Sequence, residues 1–127
     1  MIPKGFLFAG ISAGVKKNGK KDLGLVLFER EVVSAGLYTK NKVKSPSVTY
    51  TKKVIENNNP KALLVVSGNA NACVKDGMKD IKNILNYLGS KLNIESDKIA
   101  FASTGVIGVK LPVDIIKKGI INLKTSL

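Results

Sequence analysis

The sequence predicts an α/β fold in which helices pack on a largely antiparallel or mixed β-sheet. Apolar segments of strand length recur along the chain, separated by turn-forming residues. The segment from about Asp76 to Leu92 instead has apolar residues at spacings of three and four, the period of an amphipathic helix. No internal repeat or low-complexity tract interrupts the 127 residues, so residues 1–127 are predicted to form a single domain.

The N-terminal segments predict a meander of three strands. Phe6 to Val15 is apolar and rich in small residues, and Leu23 to Glu29 reads as its hairpin partner. Between them, Asn18-Gly19 tolerates the positive φ that a type I′ turn needs at both central positions. Val32 to Tyr38 is predicted as the third strand.

The middle of the chain predicts a short strand, a short helix and a buried strand. Val48 and Tyr50 suggest the short strand, and Thr51 is placed to cap a helix over Lys52 to Asn58. The continuous apolar run within Lys61 to Ser67 is typical of a strand that is buried on both faces.

The remaining elements are two helices with a strand between them. Asp76 is placed to cap the long helix that ends at Leu92. Ile99 to Ala102 is predicted as a strand. Pro112 suits the first turn of a helix over Val113 to Ile121.

The net charge of +12 raises the question of a nucleic-acid partner. Arg30 is the single arginine among the 21 basic residues, whereas bidentate recognition of phosphate or guanine favours arginine. The densest basic run, Lys16-Lys17-Asn18-Gly19-Lys20-Lys21, falls on a predicted turn tip. These lysines are therefore predicted to be solvated surface, and no nucleic-acid partner is expected.

Histidine is absent, which excludes Ser-His-Asp and Cys-His catalysis and removes the commonest metal ligand. Cys73 is the single cysteine, so a disulfide framework and a zinc site are not expected. No base or oriented partner is identifiable for it, and Cys73 is predicted to be a buried, inert side chain. Neither a metal nor a cofactor is predicted.

No apolar run approaches the length that spans a bilayer. The N-terminus enters a strand-like segment without the charged and apolar regions of a secretory signal. The sequence therefore predicts a cytoplasmic protein without membrane association.

Two loops of small and polar residues follow predicted strands. The first is Ser67 to Cys73 and the second is Ser103 to Gly108. Glycines allow another group to approach the backbone closely, and loops at strand ends are favoured places for sites. Taken alone, such loops are more often simple turns than sites.

Several segments together resemble the ornithine acetyltransferase family, the bifunctional glutamate N-acetyltransferases of arginine biosynthesis. They occur in the family's order and extend over essentially the whole chain. The segments are Pro3-Lys4-Gly5-Phe6, Gly10 to Lys17, Ala35 to Lys44, Ser67-Gly68-Asn69-Ala70-Asn71-Ala72-Cys73, and Ala102-Ser103-Thr104-Gly105-Val106-Ile107-Gly108-Val109-Lys110-Leu111-Pro112.

The resemblance implies a precursor that cleaves itself before a threonine into α and β chains, which assemble as an α2β2 heterotetramer. That threonine, at the N-terminus of the β chain, takes acetyl from N-acetylornithine and passes it to glutamate. The resemblance also implies that Thr104 and Gly105 stabilise the oxyanion of the tetrahedral intermediate. Acetyl-CoA is a possible further acetyl donor, and no bound cofactor is implied.

The resemblance places this chain in the N-terminal part of the α chain. The family's Gly-rich segment and its Ala-Thr-Met-Leu cleavage motif do not occur before Leu127, so these 127 residues alone are expected to lack acetyltransferase activity. Two alternatives stay open: a fragment of a related self-cleaving aminopeptidase, and a non-enzymatic basic binding module.

Overall fold

The computed structural model describes residues 3–57 and 59–127, which form a mixed α/β fold as predicted. In these ranges, no helix is long and apolar enough to cross a membrane. A 3₁₀ turn, Ser96–Lys98, precedes the last strand. The strands and α-helices, in chain order, are β1 (Phe6–Ile11), β2 (Leu23–Phe28), α1 (Pro46–Asn57), β3 (Ala62–Asn69), α2 (Gly77–Leu92), β4 (Ile99–Val106) and α3 (Val113–Thr125).

The four strands lie in one sheet in the order β1-β2-β3-β4. The first two pairs are antiparallel, and β3 pairs with β4 in parallel. Two parallel strands that follow each other in the chain need a crossover connection between them. Helix α2 lies in the crossover connection that joins β3 to β4. The sheet is thus mixed, and its parallel pair brings the C-terminal ends of β3 and β4 to the same edge.

The hydrophobic core lies between one face of this sheet and the helices. Alternate residues of β3 point into it, since Ala62, Leu64 and Val66 are fully buried. Helices α2 and α3 pack on each other, and α3 also packs on β1 and β2. Their contribution to the core is a set of fully buried aliphatic side chains: Ile81, Ile84, Leu85, Leu88, Ile116, Ile120 and Leu123.

The opposite face of the sheet is also apolar but only partly covered. Phe8, Val26 and Leu63 are register partners across β1, β2 and β3, and so lie on one face. Phe8 remains 48% exposed, and Val26 and Leu63 are of intermediate burial. An apolar sheet face of this kind is available for association.

The predicted third strand of the meander is wrong. Residues 31–41 contain no regular secondary structure, and the side chains of Val33 and Leu37 within them are fully exposed. The edge of β2 that a meander strand would need is occupied by β3, whose residues pair with it from Leu23 to Leu27. The more apolar segment therefore takes the edge of β2, although it lies farther along the chain.

The predicted strand at Val48 and Tyr50 is also wrong, because helix α1 already begins at Pro46. The Ser45 side-chain oxygen accepts a hydrogen bond from the Ser47 N–H at 3.2 Å, and proline suits a first helical turn. Thr51 is consequently inside the helix and is not its cap. Its hydroxyl instead bonds to strand β4, accepting from the Phe101 N–H at 2.8 Å and donating to the Phe101 carbonyl at 2.6 Å.

The predicted hairpin forms, but without a type I′ turn. Strand β1 ends at Ile11 instead of Val15, and Gly19 has a positive φ whereas Asn18 does not. The cause is Asp22, which is 2% exposed and whose carboxylate accepts hydrogen bonds from the backbone N–H groups of residues 13, 14 and 16 at 2.6 to 3.1 Å. These bonds turn the chain away from the sheet into a connection of residues 12–22.

The long helix lies where the periodicity predicts it, but its cap differs. Asp76 is the residue before α2, yet it has a left-handed φ of 63° and makes no side-chain capping bond. The predicted cap is therefore wrong, because this backbone geometry does not direct the carboxylate at the first helical N–H groups. Helix α3 continues past Ile121 to Thr125, and β4 continues past Ala102 to Val106.

Candidate active site at the ends of strands β3 and β4

The two predicted site loops begin as paired strand ends. Ser67 and Gly68 belong to β3, and Thr104 and Gly105 belong to β4. In the parallel register, Ser67 lies opposite Thr104 and Gly68 lies opposite Gly105. Thr104 and Gly105 are exposed to solvent, although they stand on a rigid sheet. Such a position suits a group that must meet a ligand with fixed geometry.

Gly68 and Gly105 pack backbone against backbone. Gly105 has a φ of +136°, and a Cβ there would lie 2.3 Å from the Gly68 carbonyl carbon. Gly68 has a φ of +120°, and a Cβ there would lie 3.0 Å from the Lys16 Cγ atom. The positive φ favours glycine at both positions, and at 105 a side chain would also overlap the backbone of Gly68. The Gly105 backbone is thereby fixed and unobstructed by its own side chain.

Asn69 ties the end of β3 to the segment that follows β4. The side chain is buried, and its Nδ2 donates to the carbonyls of Val109 and Lys110 at 2.9 and 3.1 Å. Its Oδ1 accepts from the Asn71 N–H at 2.7 Å. One amide side chain therefore holds both sides of the candidate site, and the amide itself is buried, where an unmade bond is costly.

Serine hydroxyls hold β4 beside Thr104. The Ser103 hydroxyl lies 2.6 Å from the Ser47 hydroxyl of helix α1 and donates to the Ala70 carbonyl at 3.2 Å. Ser45 donates to the same Ala70 carbonyl at 3.1 Å. The residue that precedes Thr104 is thus bonded both to a helix and to the loop after β3.

Asn71 completes this polar cluster. It is fully buried with a φ of 48°, and its Nδ2 donates to the Gly77 carbonyl at 3.2 Å and to the Ser47 hydroxyl at 3.4 Å. A Cβ on Gly77 would lie 2.6 Å from the Asn71 Oδ1, so the first residue of α2 must be small. The sequence interpretation missed Ser47, and it singled out the loop Ser67 to Cys73 without assigning a role to Asn69 or Asn71. The available signal was a run of polar residues directly after a buried strand.

An open pocket of about 600 Å³ lies beside Gly105. Its mouth faces solvent, and Val15 and Val106 contribute apolar walls. Gly105 therefore borders a space large enough for part of a small substrate. The residues that line it are Val15, Lys16, Lys17, Asn18, Gly68, Gly105 and Val106.

The sequence profile of the ArgJ family matches residues 7–127. This chain belongs to the ArgJ family. It is 43% identical over 128 residues to the arginine biosynthesis bifunctional protein ArgJ 2 of Clostridium acetobutylicum, covering 100% of this chain and 33% of that protein. It is 37% identical to the ArgJ protein of Rhodopirellula baltica, covering 94% and 30%. The chain thus spans about a third of the length of these ArgJ relatives.

Two solved ArgJ-family structures share this fold. The ornithine acetyltransferase of Mycobacterium tuberculosis, complexed with ornithine, superposes with a TM-score of 0.91 at 34% identity, covering 95% of this chain and 66% of that chain. The arginine biosynthesis bifunctional protein of Bacillus halodurans superposes with a TM-score of 0.85 at 39% identity, covering 92% and 62%. The family resemblance predicted from the motifs is therefore confirmed.

Cys73 ends the loop Ser67 to Cys73 but is not buried. Its side chain is exposed and its φ is 55°, so the prediction of a buried thiol is wrong. The buried Asn71 occupies the interior of this turn, and the chain leaves Cys73 on the outside. Within residues 3–57 and 59–127, no group of three or more His, Cys, Asp or Glu side chains could hold a metal ion.

Proposed function

We propose that this chain is part of the α chain of a self-processing N-acetyltransferase of arginine biosynthesis. The complete enzyme moves acetyl from N-acetylornithine to glutamate through an acetyl-threonine intermediate. Membership of the ArgJ family supports the pathway, and the ornithine bound to the M. tuberculosis relative supports the substrate class. The nucleophilic threonine belongs to the β chain, so the 127 residues alone are inactive.

We assign Thr104 and Gly105 to oxyanion stabilisation. The observation that carries this assignment is the backbone packing of Gly105 on Gly68, which fixes Gly105 at the border of an open pocket. A hydrogen-bond donor whose position is fixed before the reaction stabilises a developing negative charge without a free-energy cost of reorganisation. The Thr104 hydroxyl and the Gly105 N–H are the two donors.

The absence of histidine agrees with this chemistry. An N-terminal threonine uses its own α-amine as the base that activates its hydroxyl, so no imidazole is needed. The β chain of the same precursor is the partner, in an α2β2 assembly located in the cytoplasm. Neither nucleic acid nor a membrane has a role in this proposal.

Thr104→Ala in the complete enzyme tests the assignment. We expect kcat for acetyl transfer from N-acetylornithine to glutamate to fall about 10²- to 10³-fold, because one oxyanion donor is lost. Thr104→Ser is the matched control, since it keeps the hydroxyl and should retain most of the turnover. Both variants should keep the parent's melting temperature, because the side chain is exposed. Unchanged turnover in Thr104→Ala would contradict the assignment.

The same preparations distinguish the aminopeptidase alternative. Peptide hydrolysis is measured in parallel with acetyl transfer. A parent enzyme that hydrolyses peptides and transfers no acetyl group would replace the proposed function with the alternative one.

A further inference from the structure

An open cavity of about 530 Å³ lies between helices α1 and α2. Residues of the two helices form its walls, and the 3₁₀ turn before β4 contributes Ser96 and Asp97. The described residues that line this cavity all differ from those that line the pocket beside Gly105. Its volume is within the range of pockets that bind small molecules. The cavity is therefore a second candidate ligand site.

The walls of this cavity are held together. The Tyr50 hydroxyl of α1 donates to the Ser96 carbonyl at 2.7 Å, which connects the helix to the 3₁₀ turn. Val54 of α1 is 3% exposed and Met78 of α2 is partly buried, so both walls include apolar side chains that pack into the fold. A site that is formed before the ligand arrives loses less conformational entropy on binding.

Charged side chains of both signs line the cavity. They are Lys53 on α1, Lys82 on α2 and Asp97 on the 3₁₀ turn. The ion pairs of the described residues are Lys52–Glu56, Lys98–Glu95 and Lys110–Asp80. The three charges of the cavity are not among these pairs, so Asp97 lies too far from either lysine for a direct ion pair. Opposite charges therefore line one cavity without pairing, and each has capacity for a ligand group.

Two cations and one anion match a ligand that carries two carboxylates and one ammonium group. Lysine donates charge-assisted hydrogen bonds to a carboxylate, and a ligand ammonium donates the same kind of bond to an aspartate. Asn86 also lines the cavity, and its amide can donate to a carboxylate or accept from an ammonium group. A small ligand with this charge pattern would bridge charges that the protein keeps apart. An acidic α-amino acid has this pattern.

We propose that the cavity between α1 and α2 binds an acidic α-amino acid, with its carboxylates on Lys53 and Lys82 and its ammonium group on Asp97. This binding is independent of the proposed function, because it rests on the charges of the cavity and not on Thr104 or Gly105. It can be measured without any turnover.

The test is calorimetric titration of the complete enzyme with L-aspartate, an acidic amino acid that is not the acceptor in the proposed function. In the double variant Lys53→Met with Lys82→Met, the affinity should fall about tenfold or more, because charge-assisted contacts with the carboxylates are lost. Lys79→Met with Lys124→Met is the matched control. It removes two exposed charges outside the cavity and should leave the affinity within about twofold of the parent.

Asp97→Asn tests the ammonium position. Succinate has the two carboxylates of aspartate without the ammonium group, and L-asparagine lacks one carboxylate, so both should bind the parent more weakly than L-aspartate. Asp97→Asn should lower the affinity for L-aspartate about tenfold, because a charge-assisted contact is lost. It should not lower the affinity for succinate, because the replaced carboxylate repels that ligand.

The combined titrations decide the proposal. L-aspartate binding that exceeds the binding of succinate and L-asparagine, and that falls in the variants of the cavity but not in the control pair, supports it. The proposal is overturned if the parent binds no L-aspartate, if succinate or L-asparagine binds as tightly, or if the two methionine pairs behave alike. Acetyl transfer from N-acetylornithine, assayed separately, decides the proposed function, so the two failures are distinguishable.

Discussion

At the scale of single residues, identical glycines have different roles. Gly105 and Gly108 both have positive φ, +136° and +79°. A Cβ on Gly105 would overlap the backbone of Gly68 and Asn69, whereas a Cβ on Gly108 would meet nothing within 4 Å. Gly108 is thus required only by its φ, while Gly105 is required by the strand pairing that forms the candidate site.

We predict that Gly105→Ala destabilises the fold far more than Gly108→Ala. Alanine at 108 should lower the free energy of unfolding by about 1 kcal/mol, the cost of a positive φ. Alanine at 105 adds an overlap that requires β3 and β4 to separate, and should cost about 3 kcal/mol or more. Urea unfolding of the two variants measures the difference. Equal losses of unfolding free energy in the two variants would show that the contact with the Gly68 backbone does not restrict residue 105.

At the scale of elements, side-chain bonds from helix α1 fix the parallel strand. Thr51 bonds to the backbone of Phe101 in β4, and Ser47 bonds to Ser103. Tyr50 donates to the Ser96 carbonyl at 2.7 Å, just before β4 begins. Burial, and secondarily the nearby Asp97 carboxylate, raises the pKa of Tyr50 to about 12. Helix α1 therefore sets the position of β4 along its length.

The raised pKa predicts a change of stability at alkaline pH. Between the tyrosine's ordinary pKa of about 10 and the folded value of about 12, the unfolded chain releases the proton first, so stability falls as pH rises. Below about pH 10 the contribution of this hydroxyl is fully present. Tyr50→Phe should lose about 1 kcal/mol near pH 8, from the missing hydrogen bond. Its stability should then fall less than the parent's between pH 10 and 12, and parallel pH profiles would contradict this.

At the scale of the whole molecule, the sheet has two unequal faces. One face is covered by the helices, and the other presents Phe8, Val26 and Leu63 with partial exposure. Val33 is more exposed than any of these, yet it stands in the irregular segment 31–41, apart from the sheet. Contiguous apolar area, and not the exposure of one side chain, drives association.

We predict that this 127-residue chain self-associates through the open sheet face. Phe8→Lys should shift sedimentation toward the monomer at a given concentration, because it places a charge within the apolar face, on the edge strand β1. Val33→Lys introduces the same charge at a more exposed position outside that face, and it should sediment like the parent. If both variants behave alike, net charge rather than the sheet face controls association.

The sequence by itself determined the features of this protein that follow from local patterns of residues. The period of three and four placed α2, and the ordered motifs led to the ArgJ family. The apolar run predicted the strand β3, but its burial on both faces was wrong, since alternate residues of β3 are only partly buried. The role of Thr104 and Gly105 stays a prediction. The tertiary structure decided which strand takes the edge of β2, that Asp22 redirects the connection after β1, and that Gly68 faces Gly105. These depend on contacts between residues far apart in the chain. Periodicity and turn propensity depend only on residues that are close together in the sequence. Strand register and side-chain packing choose between pairing partners that the local sequence does not distinguish.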